Sequence, residues 1–387
     1  MTASEPHSFI FNMSNVSRGG GLQVGLSIID SFLSDLSPPT AHFILSRTLV
    51  ERLKSENLVV PQSLYTQISA GGINGKIQSR KALNECVEEH NASIVFSLFG
   101  PTYWRPKSKI RHVVGFANAW VLPIDRRLYR RLSKMEQVKR KLKYTLMAFD
   151  FKRTSDYLLV EANHVKKKLN QHLLLKDKHI MVAPNAAREI FYEERLKSEQ
   201  LNALILLKQK YPDLKIGAYV AAHYVHKNFD LIGQLSELNN PLLGLINFAI
   251  TIEAAEYEKL CQKWPKISHI TTNLGRLNSK EVRALYEHCD FGFMPSLLEC
   301  NTAALHEYIA MRLPIVSAYF DYAREICENA AFYFDPYNVN STKLAINAYL
   351  NDPKQHQSKI EKLRRKGRGY SAQRWATIKK VLTDQII

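Results

Sequence analysis

Cysteine is scarce in this sequence and unpaired by spacing: Cys86, Cys261, Cys289, Cys300 and Cys327 are odd in number and scattered, with no Cys-x-x-Cys. That excludes a disulfide framework and predicts a reduced, cytoplasmic protein without a structural zinc site. No run of roughly 18 consecutive apolar residues occurs, which excludes a transmembrane helix. The first residues, MTASEPHSFIFNMSN, lack the positive region and apolar core of a signal peptide. Three familiar motifs fail on inspection. A Gly-x-Gly-x-x-Gly starting at Gly19 would need glycine where Val24 stands, which argues against a nicotinamide enzyme. GGINGK (71–76) is one residue short of a P-loop, and Ile77 replaces its Ser/Thr. His306-Glu307 opens like a zinc-protease helix, but Ala310 occupies the place of the second histidine.

What the chain has in excess is positive charge, +17 over 387 residues. Such an excess implies an anionic partner: nucleic acid, a phosphorylated small molecule or an anionic membrane. Part of it is concentrated in DRRLYRRLSKMEQVKRKLKY, where Leu128, Leu132, Met135, Val138 and Leu142 recur at helical spacing. The pattern predicts one basic amphipathic helix over 125–143, suited to an anionic membrane surface. A solvated helix face is the plain alternative.

Apolar runs alternate with helical patterns along the whole chain. Strands are predicted at 9–13, 41–45, 92–100, 111–117, 157–162 and 179–184, then at 214–220, 242–250, 268–275, 290–295, 313–318 and 330–335. Strands separated by helix-length segments mean βαβ units and parallel sheets. Twelve strands exceed one comfortable sheet, and PNAAREIFYEERLK divides them, with a hinge near 184–197. The expected architecture is α/β: two facing Rossmann-like domains, with ligands at the C-terminal ends of the strands, in a cleft. The first domain is expected over 1–190, rejoined by a crossing helix over about 370–387, and the second over 191–369.

The most informative stretch is MPSLLECNTAALHEYIAMRLPIVSA, residues 294–318. It reads as a strand, a bend through Glu299 and Cys300, a helix capped by Asn301 or Thr302, and a second strand. The helix amides at that entrance form a ready anion site. Glu299 and Glu307 are too far apart for a carboxylate dyad sharing one proton, since eight helical residues rise about 12 Å. They suit two hydroxylated groups on either side of an anion, the layout of a nucleotide sugar. A turn glutamate and an unrelated surface glutamate are the plain alternative.

Residues 290–336 resemble the donor-binding stretch of the family-4 retaining glycosyltransferases of GT-B fold. The likeness rests on Pro295, Ser296, Glu299, Glu307, Pro314, Arg324-Glu325 and Asp335-Pro336. It implies that Glu299 contacts the transferred sugar and Glu307 the nucleotide ribose. Cys300-Asn301-Thr302 stand where many relatives carry a glycine-rich turn. In AAHYVHKNFDLI (221–232), Lys227 resembles the family's diphosphate lysine, with His223 or His226 near the place of its arginine. Gly275, at the end of SHITTNLG, is a further donor-side position. Gly19, Gly20 and Gly21 resemble the family's glycine-rich first loop, for which a simple tight turn is the alternative. The family's histidine after the strand near 111–117 has no counterpart; Asn118 stands in its region, and His112 reads as a core residue. Tyr103 and Trp104 are candidates for stacking on an acceptor sugar. YSAQRWATIKKVL (370–382) resembles the last crossing helix, with Trp375 as its anchor.

The resemblance implies transfer of a sugar from a nucleotide diphosphate to a glycan or lipid-linked acceptor, in cell-surface polysaccharide biosynthesis. No Asp-x-Asp occurs to hold a metal–diphosphate clamp; Lys227 and the helix amides take that task, with no metal or other cofactor required. The enzyme is expected in the cytoplasm, peripheral at the inner membrane face. A sugar-nucleotide epimerase or phosphorylase of the same fold is the rival. A nucleic-acid-binding protein would account for the charge, but no recognition motif is present and no nucleic acid is expected as partner.

Overall fold

The computed structural model describes residues 8–17, 19–68, 72–107, 109–193 and 202–383. The start of MTASEPHSFIFNMSN, the first glycine of GGINGK, the end of the stretch read as a hinge, and the last four residues of 370–387 lie outside them. The chain forms two compact units: Met1–Ile124, Leu132–Asn185 and Tyr370–Ile387 make the first, Asp125–Arg131 and Ala186–Gly369 the second.

The first unit is built on β1 (Ser8–Met13), β2 (Ala41–Ser46), β3 (Tyr65–Ile68), β4 (Ala92–Ser97), β5 (Arg111–Phe116), β6 (Tyr157–Val160) and β7 (His179–Val182). They form one sheet in the order β3-β2-β1-β4-β5-β6-β7, every described pairing parallel. The second unit holds β8 (Lys215–Tyr219), β9 (Ile246–Ile250), β10 (Thr271–Asn273), β11 (Phe291–Met294), β12 (Ile315–Ala318) and β13 (Ala331–Phe334). Its order is β10-β9-β8-β11-β12-β13, also parallel. These are two Rossmann-like sheets, and each strand predicted from an apolar run is present. Central strands are largely apolar because helices cover both faces of a parallel sheet; β2 and β9 are buried at every residue.

The C-terminal helix Tyr370–Leu382 packs in the first unit, not the second. Trp375 lies against Phe11 and Phe32, with ring centroids 6.3 and 5.9 Å away, and its indole N–H donates to Asp35 at 2.7 Å. Arg374, almost fully buried, donates to Asn185 and to Ser27.

The basic segment departs from the expected single helix. It breaks at Ser133, whose side chain accepts from the Glu136 amide at 3.2 Å and starts a new helix, Lys134–Thr154. Before the break, the short helix Arg126–Tyr129 belongs to the second unit. There Leu128 is fully buried, Arg127 stacks 4.1 Å over Tyr337, and Arg131 donates to Asn228. These side chains are therefore used internally. After the break, Met135, Val138, Leu142, Leu146 and Phe149 form an exposed apolar stripe, each more than half exposed.

Candidate active site

Loops leaving neighbouring strands of an open parallel sheet diverge where the strand order reverses, and ligands collect there. In the second unit that point lies between β8 and β11. The loop after β8 carries His223, His226 and Lys227; the loop after β11 carries Glu299, Cys300, Asn301 and Thr302. Lys227 Nζ donates to Glu299 Oε1, with the two side chains only 18% and 10% exposed. Shielding from water strengthens such a pair, while desolvation of both charges opposes it. A ligand that offers an anion to one and hydroxyls to the other can replace the pair without leaving either charge unmatched.

Neighbouring groups hold the two loops in register. The Leu297 amide donates to the His226 carbonyl at 2.7 Å, and the Tyr219 hydroxyl donates to the Lys227 carbonyl. Asn228 takes a left-handed backbone with φ 58°, which asparagine tolerates better than most residues. Its buried amide donates to the carbonyls of Pro295 (3.2 Å) and Pro336 (3.1 Å). Tyr322 donates to the Ser296 carbonyl at 2.8 Å. The His226 ring stacks on Tyr224, centroids 5.7 Å apart, and His223 packs edge-on to Phe229.

The helix after this loop is Ala303–Ala310. Thr302 occupies its N-cap but makes no side-chain capping bond. Asn301 Oδ1 instead accepts from His306 Nε2 at 3.0 Å, and Cys300 is buried. The expected cap by Asn301 or Thr302 is thus corrected: His306 takes the asparagine oxygen, and Thr302 makes no side-chain capping bond. Backbone N–H groups at such a mouth attract anions.

Glu307 lies on the same helix, where the Tyr286 hydroxyl donates to Oε2 at 2.7 Å. The residue keeps some solvent contact, but burial of its carboxyl raises the pKa to about 7; the Tyr286 bond and the charge of Arg188 act in the opposite direction. Near neutrality this group can therefore accept or donate a hydrogen bond to a hydroxyl. Gly275 follows β10 with φ +70°, a left-handed conformation, and nothing lies within 4 Å of where a side chain would begin.

In the first unit, Gly19 has φ +62° and begins the helix Gly20–Leu33; the space beside Gly19 and Gly20 is open, while Gly21 faces Phe99 at 3.7 Å. Asn118 follows β5, accepts from the Trp120 amide at 3.2 Å and donates to Met147 Sδ at 3.5 Å. Tyr103 is exposed at 43%, and its amide donates to Asp150 at 3.2 Å. Trp104 is not presented to a ligand: it is 7% exposed, and its indole N–H donates to Asn84 at 3.0 Å. Its place beside an aromatic at a strand end misled the sequence reading. His112 is buried as expected, between Ser97 and the Thr154 carbonyl.

Tyr286, Arg188, Tyr219 and Asn228 were not singled out from the sequence. Tyr286 sits inside a helical pattern and Arg188 inside the stretch read as a hinge, so only the fold brings them to Glu307. Asn228 had a local signal, its position directly after the lysine at a strand-to-helix turn.

Residues 213–367 match the family model described as Glycosyl transferases group 1. No curated protein sequence matches the chain. Among solved structures, it is similar to sucrose-phosphate synthase from Thermosynechococcus elongatus (10% identity, 98% of this chain and 100% of that one, TM-score 0.73). It is similar to Anabaena HepE in complex with UDP-glucose (11%, 97% and 99%, 0.70). It also resembles WaaG, a glycosyltransferase involved in lipopolysaccharide biosynthesis (16%, 97% and 99%, 0.66). The Lys227–Glu299 pair and Glu307 thus lie within the segment that matches the glycosyl transferases group 1 model, in a chain of GT-B fold.

Proposed function

We propose that this chain is a metal-independent retaining glycosyltransferase that moves a hexosyl group from a uridine diphosphate sugar to a saccharide or lipid-linked acceptor. The observation that carries the reading is the Lys227–Glu299 pair at the switch point of the matched domain, with Glu307 on the next helix. Glu299 takes the hydroxyls of the transferred sugar, Lys227 and the amides at the helix mouth take the diphosphate, and Glu307 takes the ribose. His226, Gly275 and the turn Cys300-Asn301-Thr302 border the donor. Gly19, Gly20, Gly21 and Asn118 are the first unit's residues for the sugar, and Tyr103 is its acceptor aromatic. The uridine donor is supported by the UDP-glucose bound to the HepE structure.

As the bond between sugar and phosphate loosens, negative charge grows on the leaving diphosphate. Lys227 and the helix amides stabilise that charge more than the ground state, which is the condition for a faster step. The leaving phosphate accepts the acceptor's proton, so no separate base is required. The exposed stripe Met135–Phe149, flanked by Lys134, Lys139, Lys141 and Lys143, suits an anionic membrane surface on which a lipid-linked acceptor is presented. On this reading the enzyme works at the inner face of the membrane, in the assembly of a cell-surface polysaccharide.

The test supplies uridine and guanosine diphosphate sugars with and without a lipid-linked saccharide fraction. Transfer requires nucleotide diphosphate release that depends on the acceptor. Conversion of the sugar nucleotide without an acceptor would make the chain an epimerase, and sugar phosphate formed with orthophosphate would make it a phosphorylase.

A further inference from the structure

One cluster in the first unit takes no part in the proposed transfer. His42 is the second residue of β2, Cys86 lies in the last turn of the helix Gly72–Glu89, and His90 directly follows that helix. One ligand atom from each residue lies within 4.8 Å of the other two. Cys86 and His90 share a helix face because they are one turn apart, and the His90 amide still bonds the Cys86 carbonyl at 3.1 Å. His42 reaches them from the sheet, on the same strand face as Ile44. Leu83, Cys86 and Val87 pack there with Ile10, Ile44 and Val95.

We propose that His42, Cys86 and His90 bind one zinc-class cation that fastens the end of this helix to the sheet. A thiolate and two imidazoles are a donor set that zinc prefers, with bonds of about 2.3 Å to sulfur and about 2.0 Å to nitrogen. Three donors already inside 4.8 Å of one another need side-chain rotation, not backbone rearrangement. The His42 and His90 rings stack with centroids 4.1 Å apart, and the ion would part them. Thr66, on the adjacent β3, bonds His42 Nε2 at 2.9 Å, and the ring also bonds the Ser63 backbone. Such outer-shell bonds commonly orient a ligating imidazole. Cys86 is 4% exposed in an otherwise apolar cluster, so coordination gives its sulfur a use there. The cluster sits where strands begin, the edge opposite Gly19–Gly21 and Asn118, which makes the role structural. The sequence reading excluded structural zinc from cysteine spacing alone; here only the fold adds a strand histidine to a Cys-x-x-x-His turn.

The test uses the full chain without an affinity tag. Retention of one zinc per chain after dialysis is expected, by elemental analysis. Cobalt loading should give a thiolate charge-transfer band in the near ultraviolet and the visible bands of a tetrahedral site. Cys86→Ser should remove the charge-transfer band, and His90→Gln should weaken cobalt binding at least about 10-fold. His90 is only partly buried, so His90→Gln tests the site in a folded chain, checked by circular dichroism. Cys261→Ser should change nothing. Absence of stoichiometric metal, or a charge-transfer band that survives Cys86→Ser, would overturn the proposal.

Discussion

The two sheets reverse strand order at equivalent places but line those places with opposite kinds of side chain. Between β8 and β11 stands a charged pair, Lys227 and Glu299. Between β1 and β4 runs a neutral chain: Asn12 Nδ2 donates to Ser97 Oγ at 3.0 Å, and Ser97 meets His112 Nε2 at 2.9 Å. His112 Nδ1 faces the Thr154 carbonyl, which can only accept, so Nδ1 carries the proton and Ser97 donates to Nε2. Burial holds the His112 pKa down to about 4, so the chain is uncharged near neutrality. The difference teaches where charge is useful. A charged pair at a switch point can exchange its partners for those of a charged ligand, whereas a polar chain inside a core needs only to be satisfied.

The largest effect expected from breaking this contrast is at Glu299. Glu299→Ala should lower kcat by about 10²–10³-fold, the size of losing one transition-state contact. The nucleotide diphosphate should still bind, measured by calorimetry. Ser97→Ala, at the equivalent place in the first unit, should cost about 1–2 kcal/mol of stability with little change in kcat. Comparable kcat losses in the two variants would remove the distinction between the switch points.

A second contrast concerns what holds each unit together. The first depends on a helix from the far end of the chain, through Trp375 against Phe11 and Phe32. Trp375→Ala should destabilise it by about 3–5 kcal/mol. Urea unfolding followed by pulse proteolysis should show the first unit's transition moving to lower urea, with the second unit's unchanged. A uniform shift of both would mean that the units unfold as one.

What the sequence made legible follows the same division. Strands covered on both faces stand out as apolar runs, so the central members of both sheets could be read directly. β3, YTQI, could not: it is an edge strand, its middle residues are exposed, and it has one neighbour, so no apolar run is required. The break in the basic segment did have a local signal, Ser133 followed three residues later by Glu136, the spacing of a capping box. The continuous leucine periodicity across it concealed that signal. Glu299, Glu307 and Lys227 could be proposed from the sequence because each stands in a pattern local to one strand–loop–helix unit. Tyr286 and Arg188 were not, because their relation to Glu307 exists only after the second unit has folded.

Relocating the exposed stripe from 125–143 to Met135–Phe149 sharpens the membrane reading. Val138→Asp with Leu142→Asp should reduce sedimentation with phosphatidylglycerol vesicles by about 10–100-fold, since two half-inserted apolar side chains are lost and two negative charges gained. Arg127→Gln should leave vesicle binding nearly unchanged, because Arg127 is engaged with Asp125 and Tyr337 in the second unit. If Arg127→Gln were as damaging as the double variant, the basic segment would act as one surface after all.

The smallest effect is expected at Glu307, whose carboxyl lies between the two regimes of charged pair and neutral chain. Its pKa is raised to about 7, first by burial, so folding favours the protonated form. Its contribution to stability is therefore greatest below the usual carboxylate range and declines as pH rises towards about 7. Donor binding follows the opposite sign if the ribose hydroxyls donate to a carboxylate: affinity should increase as pH rises through about 7. Tyr286→Phe removes a bond that favours the charged form, so the midpoint of log kcat/KM against pH should move upward. Glu307→Gln should flatten that limb of the profile and raise KM for the donor, with kcat less affected. A midpoint that persists in Glu307→Gln would assign the titration to another group and separate Glu307 from the ribose.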